Sequence, residues 1–219
     1  TFVGLKEQFR DYTQKMIRIA SSSTYFVPEL EAGKAPERER MLLEICSQEV
    51  SAFSEFISDL PMDTILAASD KILRSNRIFI FAHDISKVPG EFLKLRLLIL
   101  YYNVILIDLS DLEQTQKTLR KLTEGDLVIL FSFPRYYFPI GNIAKKASES
   151  GVPILTITDS DASPAACHSD LLLICPTSTE MFYNSMTIPI AMLNILASCL
   201  VIDSISPSER QNFINTLSS

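Results

Sequence analysis

The sequence has 219 residues, of which 47% are apolar and 21% are charged, a composition typical of a globular protein with a sizeable core. Its 26 acidic and 20 basic side chains give a net charge of −6, and the isoelectric point is near 5.0. An acidic surface has no general attraction for nucleic acid, so the composition argues against DNA binding through a broad basic surface.

The first forty residues predict a helix and a linker. Residues 1–20 carry apolar side chains at spacings of three and four, which predicts an amphipathic helix. Residues 21–40 are rich in serine, proline and charge without a sustained period, which is typical of a linker. We expect one domain over residues 41–219, beginning with two helices, the second of which follows Pro61.

From residue 77 onward the pattern changes to short, continuously apolar runs, which predict strands buried on both faces of a parallel sheet. These runs cover residues 77–82, 103–108, 126–133, 153–159 and 171–176. Helical stretches near 87–101, 112–122 and 139–150 separate the first four runs, and a long apolar helix near 180–205 follows the fifth. The alternation predicts an α/β fold, a five-stranded parallel sheet sandwiched by helices with right-handed crossovers.

A last helix is predicted from Ser206, Pro207 and Glu209, because a serine N-cap followed three residues later by glutamate forms a capping box. The four cysteines show neither disulfide nor metal-ligand spacing, so we interpret them as free thiols in a reducing cytoplasm and predict no metal and no cofactor. The longest apolar stretch, residues 188–202, is too short to span a bilayer, which favours a cytoplasmic protein without a membrane partner.

Polar loops follow three of the predicted strands. Ligands of open parallel sheets bind beyond the carboxyl ends of the strands, and this rule places residues 82–86, 132–137 and 158–164 along one edge. The middle loop reads SFPRYY, whereas a loop that only had to turn would more often use Gly, Asn or Asp. We therefore expect this loop to face a ligand.

The order of these features resembles the sugar isomerase (SIS) domain, a five-stranded parallel α/β sandwich that binds phosphosugars. Residues 82–86, AHDIS, keep the serine of that family's G-x-G-x-S loop, and residues 132–137 keep the first serine of its S-x-S-G-x-T loop. Residues 153–176 are similar to the family's fourth-strand segment. The resemblance covers about residues 42–205, and SFPRY further resembles the RpiR/MurR-type bacterial transcription regulators, which join a helix-turn-helix domain to a SIS domain.

The resemblance to these regulators implies that residues 1–20 are the last helix of a DNA-binding domain whose recognition helix lies upstream. It implies an effector domain that senses a phosphorylated sugar or a similar small anion, contacts DNA only through that upstream domain, and catalyses no reaction. It also implies a homodimer or higher homo-oligomer, because the helix near 180–205 is apolar on more faces than one sheet can cover.

Three of the family's glycines are replaced here by Ala82, Asp84 and Arg135, and we expect the backbone to lose the freedom with which glycine loops approach a phosphate. Arg135 is the candidate that replaces this cradle, because a guanidinium recognises anions in a planar, bidentate manner. Ser86 and Ser132 are candidate hydroxyl donors, with local turn capping as the alternative.

The remaining candidate ligand-binding residues have evident alternatives. Tyr136 and Tyr137 suit stacking on a sugar face or packing in the core. Ser185 resembles a family position near the ligand, and helix capping is its alternative. His83 suits a proton shuttle or a structural hydrogen bond, and as a base it is the best candidate for a second hypothesis, a sugar-phosphate isomerase, with Glu180 a distant second.

Overall fold

The computed structural model of the chain describes residues 36–179 and 184–217, which form two compact units. The first unit contains the described residues up to 60 together with those of 178–187, and the second contains 61–177 and the residues from 188 onward. The predicted helix over residues 1–20 and most of the predicted linker lie outside the described residues.

The first unit contains helix α1 (Glu37–Ser58). The helix begins four residues before the predicted end of the linker, directly after Pro36. Glu37 and Glu39 lie in its first turn, where acidic side chains interact favourably with the positive end of the helix dipole. Residues 37–40 are therefore helical, although their charge and the nearby proline are typical of a linker.

From Met62 onward helices and strands alternate. The elements in chain order are α2 (Met62–Leu73), β1 (Arg77–Ala82), α3 (Lys87–Ile99), β2 (Val104–Asp108), α4 (Leu112–Leu119), β3 (Asp126–Ser132), α5 (Ile140–Glu149), β4 (Ile154–Thr158), β5 (Leu171–Ile174), α6 (Thr187–Ser204) and α7 (Pro207–Leu217). Short 3-10 turns precede α3, at Asp84–Ser86, and β5, at Ala166–His168. All five predicted strands are confirmed, each within two residues of its predicted ends.

The five strands form one parallel sheet in the order β2-β1-β3-β4-β5. The predicted fold class is confirmed. The strand order reverses between β1 and β3, which are neighbours in the sheet although β2 lies between them in the chain. The loops that follow β1 and β3 therefore leave the same edge side by side, at the place where doubly wound sheets bind ligands.

Helices cover both faces of the sheet, which explains why the strands are apolar without alternation. On one face, Phe81 belongs to a buried cluster that includes Ile143 of α5. On the other face, α3 lies against Ile80 and its neighbours. Gly90 allows that close approach, because a Cβ at this position would lie 2.9 Å from the side chain of Leu106.

Helix α6 is an apolar core helix. Its 18 residues have a mean hydropathy of 1.7, so by length and composition alone the helix is able to cross a membrane. The prediction that the apolar stretch is too short to span a bilayer is therefore wrong. Core helices of globular domains have the same composition. Met192 and Leu196 are fully buried, and Asp203 accepts a hydrogen bond of 2.8 Å from Ser69 of α2.

The capping box predicted for α7 is confirmed. The backbone N–H of Ser206 donates to the Glu209 carboxylate at 2.8 Å, and the backbone N–H of Glu209 donates to Ser206 Oγ at 3.4 Å. Each residue thus satisfies a backbone donor that the start of a helix leaves without a partner.

An ion pair between a half-buried arginine and a buried carboxylate joins the amino ends of β1 and β3, where Arg77 and Asp126 lie opposite each other in register. Arg77 donates from Nε and Nη2 to the two Asp126 carboxylate oxygens, at 2.8 and 2.7 Å. The Thr123 backbone N–H donates to the same carboxylate at 2.7 Å. Burial by itself raises the pKa of Asp126, but the hydrogen bonds from Arg77 and Thr123 outweigh it, and the pKa is lowered overall.

Replacing Arg77 with methionine should lower the free energy of unfolding at pH 7 by more than Arg74→Met does, because the buried Asp126 carboxylate loses its charged partner. The lowered pKa means that the pair stabilises the fold fully above about pH 5 and progressively less as the pH falls through the folded-state pKa. Urea unfolding of both proteins at pH 7 and pH 3 should therefore show a smaller difference at pH 3.

Arg74→Met is the matched control, because Arg74 pairs with Asp70 at 3.7 Å on the surface. Exposed pairs of this kind contribute at most about 1 kcal/mol. An Arg77→Met effect no larger than that of the control would contradict a stabilising role for the Arg77–Asp126 pair.

Candidate functional site

The loops after β1 and β3 enclose a narrow cleft at the carboxyl edge of the sheet. The cleft is lined by His83, Asp84, Ile85, Ser86, Phe131, Ser132, Phe133, Arg135, Tyr137 and Ile140. Five of the seven predicted ligand-binding residues are among them, and Tyr136 and Ser185 are not. The strand order explains this convergence, since β1 and β3 are adjacent only in the folded sheet.

Two buried serines lie in the cleft. Ser86 Oγ accepts a hydrogen bond of 3.3 Å from the Phe133 backbone N–H, so this side chain joins the two loops. The hydroxyl of Ser132, a residue only 3% exposed, has no hydrogen-bond partner among the described residues. A buried hydroxyl without a partner costs free energy, so Ser132 is available to hydrogen-bond a ligand.

An aromatic pair lies beside the serines. The rings of His83 and Tyr137 are stacked, with centroids 4.3 Å apart and an interplanar angle of 28°. His83 Nδ1 is buried and has no hydrogen-bond partner in the described part of the chain. Tyr137 also packs against the buried cluster under α4 and α5, so it lines the cleft and contacts the core, while stacking on a sugar stays a prediction.

Charged side chains lie at the exposed part of the cleft. Arg135 and Asp84 are both exposed residues of its lining. Asp84 has φ +49°, the left-handed conformation that glycine adopts most readily and aspartate tolerates. At Asp84 the loop thus keeps a glycine-like turn, and the expected loss of close backbone approach to a phosphate stays a prediction.

The two predicted residues outside the cleft have structural partners. The Tyr136 hydroxyl donates to Asp159 at 2.8 Å, which joins the loop after β3 to the loop after β4. Burial, and then the hydrogen bond to Asp159, raises the pKa of Tyr136 to about 12. Ser185 lies in the first unit, where its hydroxyl donates to Glu49 at 3.0 Å, and it accepts from the Thr187 backbone N–H at 3.4 Å at the start of α6.

One ion pair beside the cleft could not be found from sequence spacing. Lys87, directly after Ser86, donates to Asp108 at the end of β2, with Nζ and Oδ2 2.7 Å apart. The hydrogen bond from Lys87, followed by hydrogen bonds from Ser110, holds the pKa of Asp108 at about 2. The pair fixes the start of α3, which directly follows the cleft residue Ser86, to the end of β2. The sequence gives one sign of this pair: Lys87 and Asp108 both lie near the carboxyl ends of predicted strands.

The residues described in 36–179 and 184–217 include no group of three or more His, Cys, Asp or Glu side chains that could hold a metal ion. The chemistry of the cleft is instead that of two hydroxyls, an imidazole and a guanidinium surrounded by apolar walls, with the Asp84 carboxylate at its exposed part. Such a set suits hydrogen bonding to a small polar anion.

The strand order and the cleft at its reversal point define a ligand-binding domain of the doubly wound α/β class. The family model of the SIS domain matches residues 71–199. The chain belongs to the SIS domain family. No curated protein matches it by sequence.

Solved structures with the same fold include a domain of a transcription factor, a protein complexed with a sugar phosphate and a protein with an inferred isomerase function. The sugar isomerase domain of an RpiR transcription factor from Sphaerobacter thermophilus has a TM-score of 0.69 and 22% identity, over 82% of this chain and 98% of that one. The Vibrio vulnificus NanR protein complexed with ManNAc-6P has a TM-score of 0.60 and 13% identity, over 83% and 70%. A Methanococcus jannaschii protein, for which a function as 3-hexulose-6-phosphate isomerase has been inferred, has a TM-score of 0.59 and 18% identity, over 78% and 96%. These similarities establish the fold.

Replacing Lys87 with methionine should raise the pKa of Asp108 from about 2 toward its ordinary value of about 3.9, because the carboxylate loses its largest stabilising hydrogen bond. Titration of the Asp108 side-chain carbon by NMR measures this change. Ser110→Ala is the control and should raise the pKa by less. An Asp108 pKa that stays at about 2 in Lys87→Met would contradict the assigned pairing.

Proposed function

We propose that this chain is the phosphosugar-sensing, dimerising effector domain of an RpiR-type transcriptional regulator, and that it binds its effector without catalysing a reaction. The observation that carries the proposal is the buried Ser132 hydroxyl without a partner among the described residues, in a cleft at the point where the strand order reverses. Under this proposal Ser86, Ser132 and Arg135 are ligand-binding residues.

The composition of the cleft supports an anionic ligand. Ser132 and Ser86 provide hydroxyl donors, and Arg135 provides a cation at the exposed side. Because the whole protein has a net charge of −6, attraction of an anion depends on a local cation of this kind. The ManNAc-6P bound to the NanR protein, which has the same fold, supports a phosphorylated sugar as the class of ligand.

The surroundings of His83 favour a sensor over the alternative of a sugar-phosphate isomerase. Isomerisation requires a base that is held in position to move a proton between two carbons. His83 is stacked on Tyr137, and its Nδ1 has no carboxylate partner among the described residues, so nothing described orients the ring through that nitrogen. Glu180, the other candidate base, lies outside the described residues. A sensor requires only different affinities in two conformations.

The regulator assignment also covers the rest of the chain. Residues 1–20 and 21–40 are proposed as the last helix of a DNA-binding domain and its linker, so DNA contact is assigned to the upstream domain and the protein to the cytoplasm. The fold shared with the sugar isomerase domain of the Sphaerobacter thermophilus transcription factor supports the regulator assignment of the described residues. Exposed apolar side chains on α3 and α6 support a homodimer; they include Leu95, Leu98, Ile99 and Val201.

Arg135→Ala should weaken the binding of ManNAc-6P by about 10- to 100-fold, as expected for the loss of a charged hydrogen bond. If the parent protein does not bind that sugar ester, inorganic phosphate is the probe. Ser132→Ala should weaken it by about fivefold, and Arg135→Lys should recover part of the loss because a point charge cannot replace the bidentate fork. Isothermal titration calorimetry measures all three.

Lys145→Ala, which removes an exposed cation from α5 outside the cleft lining, is the control for net charge and should bind like the parent. If Arg135→Ala binds as tightly as the parent while it remains folded, Arg135 has no ligand-binding role.

The 24.6 kDa chain should have a mass of about twice that value by light scattering at micromolar concentration, because α3 and α6 carry exposed apolar side chains that a partner would cover. Val201→Glu on α6 should shift the protein toward monomer, since a charge in an apolar interface is costly. Leu112→Glu, an exposed site on α4, is the control and should remain dimeric. A monodisperse monomer of the parent protein would contradict the proposed dimer.

A further inference from the structure

The cleft is too small for the ligand proposed above. The space between its side chains is about 10 Å³, which is room for about one water molecule. A phosphate group therefore enters only if a wall of the cleft moves. Phe131, Phe133 and Ile140 are fixed walls, because they are at most 2% exposed and belong to the packed core. Tyr137 is half-buried and lies in a loop, stacked over His83.

A second space lies on the other side of Tyr137. A groove of about 170 Å³ runs between α4 and α5, with apolar walls that include Leu109 and Ile143. Thr115, Asn142 and other polar residues complete its lining. Tyr137 lines both this groove and the cleft. An apolar cavity of about 150 Å³ accommodates benzene, so the groove has room for a phenol ring.

We infer that Tyr137 is the residue that decides whether the cleft admits an anion. When the Tyr137 ring is stacked on His83, the cleft is closed. When the ring turns into the groove between α4 and α5, Ser86, Ser132 and the His83 imidazole become accessible to a phosphate ester. The inference rests on the proposed function, since it names how that same cleft opens. It differs from a role for Tyr137 as a platform that stacks on the sugar.

Movement of Tyr137, here called the gate, couples ligand binding to the groove between α4 and α5. A phosphate ester binds only the open form, so its observed affinity is reduced by the fraction of protein that is closed. In the open form the Tyr137 ring occupies the groove between α4 and α5 instead of lying over His83. The two forms therefore differ in the filling of this groove, and a ligand that binds only the open form shifts the population toward it, as a sensor requires.

Two variants separate the gate from the platform. Tyr137→Ala removes the closing ring and should bind ManNAc-6P and inorganic phosphate about three- to tenfold more tightly, since an aromatic stack must no longer be broken. Asn142→Phe places a ring at an exposed position of α5 that lines the groove and should weaken binding at least tenfold, because it occupies the space that the tyrosine ring needs. Lys145→Phe, an exposed position of the same helix outside the groove lining, is the control and should bind within about twofold of the parent.

The outcomes distinguish this inference from the function on which it rests. If the parent binds and Asn142→Phe binds equally well, the gate is wrong and the proposed function stands. Weaker binding by Tyr137→Ala identifies a stacking platform and also overturns the gate. If neither the parent nor Tyr137→Ala binds ManNAc-6P or phosphate, the proposed function fails.

A measurement on the protein without ligand tests whether the Tyr137 ring moves. The stacked Tyr137 ring shields the imidazole protons of His83, and the one other histidine of the sequence, His168, is an internal reference. Opening and closing of the gate should produce NMR relaxation dispersion at His83 in the parent protein, and Asn142→Phe should suppress it. Equal dispersion in the two proteins, or none in either, would overturn the gate.

Discussion

The direct pairing of β1 with β3 is the constraint on which the rest of the structure depends. At the amino ends the Arg77–Asp126 pair holds the two strands in register, and at the carboxyl ends Ser86 accepts a hydrogen bond from Phe133. The cleft lies between the loops that this pairing brings together. Residues far apart in the chain thus become one site because the strand order reverses at this point.

The loops around the cleft are braced on their outer sides. Tyr136 ties the loop after β3 to Asp159, and Lys87 ties the start of α3 to Asp108. Neither pair contributes to the cleft lining, yet both restrict the loops that carry it. Against these fixed supports the stacked Tyr137 is the wall with space to move, and a rigid frame with one movable side chain suits a binding site that reports occupancy.

The residues at the positions of the family's glycines change the charges of the loops more than they change the path of the backbone. Asp84 keeps the left-handed turn that a glycine would make, and it adds a carboxylate beside the cleft. Arg135 adds a guanidinium to the same lining. Under the proposed function, anion recognition in this cleft would rely on side chains, where a glycine-rich loop relies on backbone N–H groups.

The sequence by itself determined the five strands, because helices on both faces require continuously apolar runs, and it placed three polar loops at one edge. It also identified five of the residues that line the cleft. It did not separate Tyr136 from Tyr137, since adjacent loop residues have no period that tells which side chain turns inward. The contacts of Ser185 with Glu49 and of Lys87 with Asp108 were equally hidden, because partners 136 and 21 residues apart meet only through tertiary packing. Local pattern therefore determined the elements and the edge, whereas the strand order decided which side chains share the cleft.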